Sequence, residues 1–291
     1  MQKFVGTGVA LITPFKKDLS VDFDALIKLV NYNIENGTDY LVINGTTGES
    51  ATITPKEKQE IIDVIIKTNN SRLPLVLGVG GNNTALVVEE LKTRNFTGID
   101  GILSVAPYYS KPTQEGFYQH YKAIAEATDL PIIVYNVPGR TAKNMEPATT
   151  LRLAKDFSNI VAVKEAGNNQ QQYYTLLKAK PADFLIISGD DDLAFGVTLA
   201  GGSGVISVIG QAFPKAFSTM INYGLKGNAK EGFDIHFKMM DVIDYIFEEN
   251  NPAGIKTVLQ ELDICNNDVR LPLVKASSQL QGKIAKFVTN F

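Results

Sequence analysis

A lysine closing an apolar run, IVAVK at 160–164, is the residue from which a chemistry can be built. So placed, Lys164 gives up much of its hydration, and burial disfavours the ammonium form of an amine. Only a neutral amine attacks a carbonyl to form a Schiff base, whereas a free lysine, with a pKa of about 10.4, is almost wholly protonated at neutral pH. Taken alone, Lys164 reads equally well as a strand-end lysine that reaches water or pairs with Glu165.

Other polar residues also end apolar runs. Tyr135 closes PIIVY, Thr46 and Thr47 follow YLVING, and Tyr109 follows ILSVAPY. Each has an ordinary explanation by itself. Tyr135 would be a core-edge aromatic. The threonines, among Gly45, Gly48 and Glu49, would be turn or N-cap residues, and Arg140 in NVPGRT would be a solvated loop charge. Together they supply one amine, hydroxyls that move protons beside it, and donors for a carboxylate, which is what Schiff-base chemistry on a keto acid requires.

The elements that must position these groups recur along the chain. Short, nearly all-apolar runs occur at 8–13, 40–44, 74–79, 101–106, 131–136, 160–165, 184–189 and 204–209. Such runs suit parallel strands covered on both faces. Amphipathic stretches of helical period separate them, at 23–35, 55–68 and 115–128 among others; the second has Thr54 as N-cap and Pro55 at its first position. Eight strands alternating with helices predict a closed (β/α)8 TIM barrel, whose catalytic groups project from the C-terminal strand ends. An open doubly wound sheet would place a glycine-rich phosphate turn after the first strand, and TPFKKDLSVD is no such turn. GVGGNN at 78–83 has Asn83 where a third glycine would stand, so it reads as a plain strand-to-helix turn. GGSG at 201–204 precedes the eighth strand and faces the end of the barrel devoted to stability. After residue 225 three helical patterns follow, at 229–249, 252–262 and 272–290. The reading is a catalytic barrel over 1–225 and a small C-terminal helical appendage over 226–291, with no linker between them.

Composition narrows the function classes. A net charge of -3, with no concentrated basic run, argues against a nucleic-acid partner. No apolar run reaches the roughly 18 residues of a membrane span, and the N-terminal residues lack a signal-peptide plan, so the expected setting is cytoplasmic. The one cysteine, Cys265, permits no intrachain disulfide and no cysteine-based zinc site, and reads as an apolar filler. His120 and His236 lie in separate helical patterns and read as surface or core-edge residues rather than a pair.

At the residues singled out, the sequence resembles the pyruvate-dependent class I lyases and aldolases, the family of the dihydrodipicolinate synthases and N-acetylneuraminate lyases. The motifs are GTTGES (45–50), PYYSKPTQEG (107–116), YNVPGRT (135–141), VKEA (163–166), SGDD (188–191) and GGSGVISV (201–208), with NPAGIKTVL and RLPL after them. They extend over essentially the whole chain. The paired threonines and Arg140 after NVPG resemble the synthase branch more than the sialic acid lyases.

That resemblance implies condensation of pyruvate with L-aspartate 4-semialdehyde to 4-hydroxy-tetrahydrodipicolinate, on the route to diaminopimelate and lysine, with no metal or organic cofactor. It implies that Lys164 forms the Schiff base, that Tyr135 is the general acid/base, and that Thr46 links Tyr135 to Tyr109 in a proton relay. Tyr109 would serve a neighbouring subunit, in a homotetramer built from tight dimers. Thr47 would hold the pyruvate carboxylate, Ile206 would contact pyruvate through its backbone, Gly189 would line the same pocket, and Arg140 would take the carboxylate of the semialdehyde. A lyase acting on N-acetylneuraminate or a 2-keto-3-deoxy sugar acid would use the same lysine, tyrosine and threonines. A keto-acid-binding regulator without catalysis would need fewer of them. One departure stands out: where lysine-inhibited members carry histidines and a glutamate, this chain has Pro55, Lys58 and Leu86, though Asn82 is kept. Loss of the acid that would hold a lysine ammonium implies weak or absent lysine feedback.

Overall fold

The computed structural model describes residues 2–291. Eight parallel strands close into a barrel in simple sequence order. They are β1 (Gly6–Ala10), β2 (Tyr40–Ile43), β3 (Leu75–Gly78), β4 (Gly101–Val105), β5 (Ile132–Asn136), β6 (Ile160–Glu165), β7 (Leu185–Ser188) and β8 (Gly204–Ser207). Every expected strand is present, but several end earlier than the apolar runs do. The first run continues through Ile12 and Thr13, yet pairing stops at Ala10 because the Gln211 side chain takes over there, accepting from the Ile12 N–H and donating to the Ala10 carbonyl. The ring is sealed by β1 against β8, with Gly8 beside Ile206. At that seam Gly204 has φ +123°, and a Cβ on it would lie 1.9 Å from the Gly6 carbonyl oxygen, so no larger residue fits.

The helices around the barrel are α1 (Phe23–Glu35), α2 (Pro55–Asn69), α3 (Thr84–Thr93), α4 (Gln114–Ala125), the short α5 (Pro138–Thr141), α6 (Pro147–Asp156), α7 (Gln170–Ala179), α8 (Ala194–Leu199) and α9 (Pro214–Leu225). Their starts follow local chemistry. Thr54 and Glu57 form a reciprocal capping box at α2, with Pro55 at its first turn. Asn83, which breaks the glycine pattern of GVGGNN, is the N-cap of α3 and accepts from the Ala85 and Leu86 N–H groups.

Beyond α9 lie α10 (Ala229–Glu248), α11 (Ala253–Glu261) and α12 (Ser278–Asn290). The third expected helix, 272–290, is thus only partly helical. Ser277 caps Leu280, and the preceding residues cross the surface without regular structure. One continuous hydrophobic cluster joins barrel residues such as Val163 and Ile186 to Met239, Val242, Ile246, Val258 and Ile284 of these last helices. A second cluster, including Ala10, Val42, Leu103, Ile133, Tyr135, Ala162, Ile187 and Ile206, fills the barrel interior. No helix among the described residues is long and apolar enough to cross a membrane.

His120 is buried, with Nδ1 2.8 Å from the Thr84 hydroxyl, and burial lowers its pKa to about 4. His236 packs against Phe195 and Phe233. Burial pushes the Cys265 thiol up to about 12, which makes it a poor nucleophile.

Candidate active site

Strand parity decides which side chains meet. In β6, Ala162 belongs to the interior cluster and Val163 to the cluster under the helices, so Lys164 turns inward and Glu165 outward. The Lys164–Glu165 pairing that the sequence leaves open is therefore not made. Glu165 instead accepts from the Asn136 and Gln172 amides, and burial raises its pKa to about 7. Lys164 lies beside Tyr135 in the β5–β6 register, and its Nζ stands 4.4 Å from the centre of that tyrosine ring. Only 5% of Lys164 is exposed.

Above the strand ends opens a cleft of about 1020 Å³, lined by Thr46, Thr47, Tyr135, Arg140, Lys164 and Gly189 among others. Six of the eight residues assigned roles from sequence thus border one cavity. Ile206 is fully buried in the interior cluster. Tyr109 is 89% exposed and does not line the cleft of its own chain. Its φ of +70° is uncommon for a bulky residue and belongs to the turn that presents it outward.

Gly189 fits its place for a steric reason. A Cβ there would come within 2.9 Å of Lys164 Cε and 2.6 Å of Ala166 Cβ, so any side chain would push the lysine aside. The Gly189 N–H meanwhile donates to the Glu165 carbonyl at 2.6 Å, pinning the loop after β7 to the end of β6.

Sequence reasoning had assigned no roles to the acids beside the amine. Asp190 accepts from the Asn168 N–H and the Tyr173 hydroxyl; its pKa is raised to about 6, chiefly by burial, while the Asn168 hydrogen bond and the Lys164 charge pull the other way. Asp191, 2% exposed, accepts from the Val208 and Ile209 N–H groups and so fastens the loop after β8 to that after β7. Burial raises its pKa too, against the opposing effect of the hydrogen bonds and of Lys164. The surroundings of Lys164 are therefore less purely apolar than the strand pattern suggests, since Asp190 and Asp191 line the same cleft.

The turn carrying Thr46 and Thr47 is held from three sides. Thr13 donates to the Gly48 carbonyl at 2.7 Å, and Asn251 donates to the Thr47 hydroxyl at 3.0 Å. Glu49, at φ +55°, pairs with the buried Lys256. Asn251 and Lys256 belong to NPAGIKTVL, a motif legible in the sequence, but no spacing rule connects them to a turn some 200 residues earlier. The arrangement offers an amine within a cleft, a phenol in contact with it, paired hydroxyls on one wall and a guanidinium at the rim. That set suits addition of an amine to a small keto acid.

Comparison with known proteins identifies the family. The family model described as the dihydrodipicolinate synthetase family matches residues 3–291. The 4-hydroxy-tetrahydrodipicolinate synthase of Flavobacterium psychrophilum is 56% identical over 287 residues, covering 99% of this chain and 98% of that protein. The crystal structure of dihydrodipicolinate synthase from Thermotoga maritima superposes with a TM-score of 0.96 at 37% identity, covering 99% of this chain and 98% of the other. A structure described as the first monomeric dihydrodipicolinate synthase variant gives a TM-score of 0.95 at 38% identity, with 99% and 98% coverage.

Proposed function

The chain belongs to the dihydrodipicolinate synthetase family, and from that premise we propose that it condenses pyruvate with L-aspartate 4-semialdehyde to 4-hydroxy-tetrahydrodipicolinate through a Schiff base on Lys164. The observation that carries this reading is the inward, buried placement of Lys164 against the Tyr135 ring, at the floor of the cleft that Thr47 and Arg140 also border. Neutral Lys164 Nζ adds to C2 of pyruvate; the carbinolamine loses water and an iminium forms. The iminium draws electrons from C3, a methyl proton leaves, and the resulting enamine attacks the aldehyde carbon of the second substrate. The amino group of that substrate then adds at C2, the ring closes and Lys164 is released. Tyr135 moves the protons, since its ring touches the amine. Thr47 holds the pyruvate carboxylate, with Ile206 and Gly189 beside it, and Arg140 takes the carboxylate of the semialdehyde.

Thr46 passes protons between Tyr135 and the Tyr109 of a neighbouring subunit. The 89% exposure of Tyr109 and its outward-facing turn support that assignment, which requires at least a dimer. We assign a homotetramer built from such dimers. Both substrates are small water-soluble metabolites, which supports a cytoplasmic setting.

The direct test is turnover of pyruvate with each aldehyde. Product is expected with L-aspartate 4-semialdehyde and not with N-acetylmannosamine; the reverse result would identify a sialic acid lyase. Arg140→Ala should raise KM for the semialdehyde roughly 10- to 100-fold, the worth of a charge-assisted pair. Pyruvate capture should change little.

Lysine is expected to inhibit weakly or not at all. Lys58 pairs with Glu90 at 2.6 Å, Arg94 binds the same carboxylate at 3.0 Å, and Leu86 is 60% exposed. The nearby acid Glu90 is thus already shared by two cations, and the position expected to supply the glutamate of a lysine site is apolar. Steady-state rates should be unchanged by low micromolar lysine; inhibition in that range would sink this expectation.

A further inference from the structure

Asn251 follows α10 and lies outside the barrel strands, yet it reaches both groups to which carboxylate recognition is assigned. It is 5% exposed, and its side-chain Nδ2 donates to the Thr47 hydroxyl at 3.0 Å. Its backbone carbonyl accepts from Arg140 Nη2 at 3.4 Å. Its Oδ1 is buried with no hydrogen-bond partner. An unpaired buried acceptor costs stability, so folding gains little from an asparagine here.

The value of the amide lies in direction. A hydroxyl has one proton and two lone pairs. While Thr47 accepts from Asn251, its single proton stays available for the cleft, where a carboxylate needs a donor. Reversing the amide would consume that proton and bury two unpaired amide hydrogens, a worse arrangement on both counts. We propose that Asn251 is a positioning residue that fixes the Thr47 hydroxyl as a donor to the substrate carboxylate. Its backbone steadies Arg140, so one residue ties together the two carboxylate subsites. The inference rests on the Schiff-base reading above and deepens it.

The test uses pyruvate alone, with imine formation followed by borohydride trapping and mass spectrometry. Asn251→Leu keeps the branching at Cγ and removes the donor; it should weaken apparent pyruvate affinity about tenfold. Asn251→Asp keeps the shape but can only accept, so it takes the Thr47 proton and should weaken affinity further. The thermal midpoint of Asn251→Leu should stay near that of the parent, and its KM for the semialdehyde should hold, because the backbone carbonyl facing Arg140 is unchanged. In a Thr47→Val background, Asn251→Leu should have no further effect on pyruvate affinity, since the group it acts through is gone. Additive losses in that cycle, or unchanged affinity in both single variants, would overturn the proposal while leaving the Schiff base intact. Absence of any adduct in the parent protein would overturn both.

Discussion

Lys164→Ala is expected to abolish the covalent pyruvate adduct and to lower kcat on the order of 10³-fold or more, the scale of losing a positioned nucleophile. Of the residues lining the cleft, Lys164 alone carries an amine. A substitute from elsewhere would have to enter a site that Tyr135 and Gly189 already shape around this side chain. Lys164→Arg should fail as well. It keeps a cation of similar length, but a guanidinium does not give up its proton in a protein. The arginine variant therefore separates the need for a nucleophile from the need for a positive charge in the cleft that Asp190 and Asp191 also line. Borohydride treatment with pyruvate, followed by peptide mapping, reads the result directly. A reduced adduct persisting in Lys164→Ala would place the chemistry on another residue.

Lys256→Met is expected to cost the most stability. Lys256 is fully buried, its Nζ 2.5 Å from Glu49 Oε1 and 2.8 Å from the Asp268 carbonyl, over the Phe15 ring at 4.1 Å. The other Glu49 oxygen accepts from the Arg270 N–H at 3.0 Å. Burial pulls the Lys256 pKa down, and the Glu49 charge opposes that shift. Removing only the lysine strands a carboxylate in the interior, at a cost of about 3–5 kcal/mol. At roughly 2–4 °C per kcal/mol for a domain approaching this size, the midpoint of thermal unfolding should fall by about 10 °C. Lys256→Met with Glu49→Gln should recover much of that loss, because the stranded charge is gone. Activity should suffer as well, since Glu49 follows directly on the turn that holds Thr46 and Thr47. Denaturant unfolding within about 1 kcal/mol of the parent would show that the pair is not the clamp described.

The pattern of apolar runs was enough to predict all eight strands, and the barrel class with them, because a parallel strand covered on both faces has no polar position to spare. Residue types at the strand ends singled out Lys164, Tyr135, Thr46 and Thr47, and the ordered motifs indicated the family. Other features needed three dimensions. The strand pattern did not reveal the acids that share the cleft with Lys164, because Asp190 and Asp191 stand on the loop after β7. The irregular stretch before α12 was hidden because its residues keep a helical spacing of apolar positions without the hydrogen bonds.

Amino-acid order alone determined which side chains stand at the mouth of a barrel, since strand period and apolar burial are local properties. Only the tertiary structure decided that Glu165 turns away from Lys164, that Asn251 and Lys256 return to the turn at Thr47 and Glu49, and that Tyr109 points away from its own cleft. Those contacts join residues far apart along the chain. Their partners are chosen by closure of the barrel and packing of the last helices, which no short-range pattern encodes.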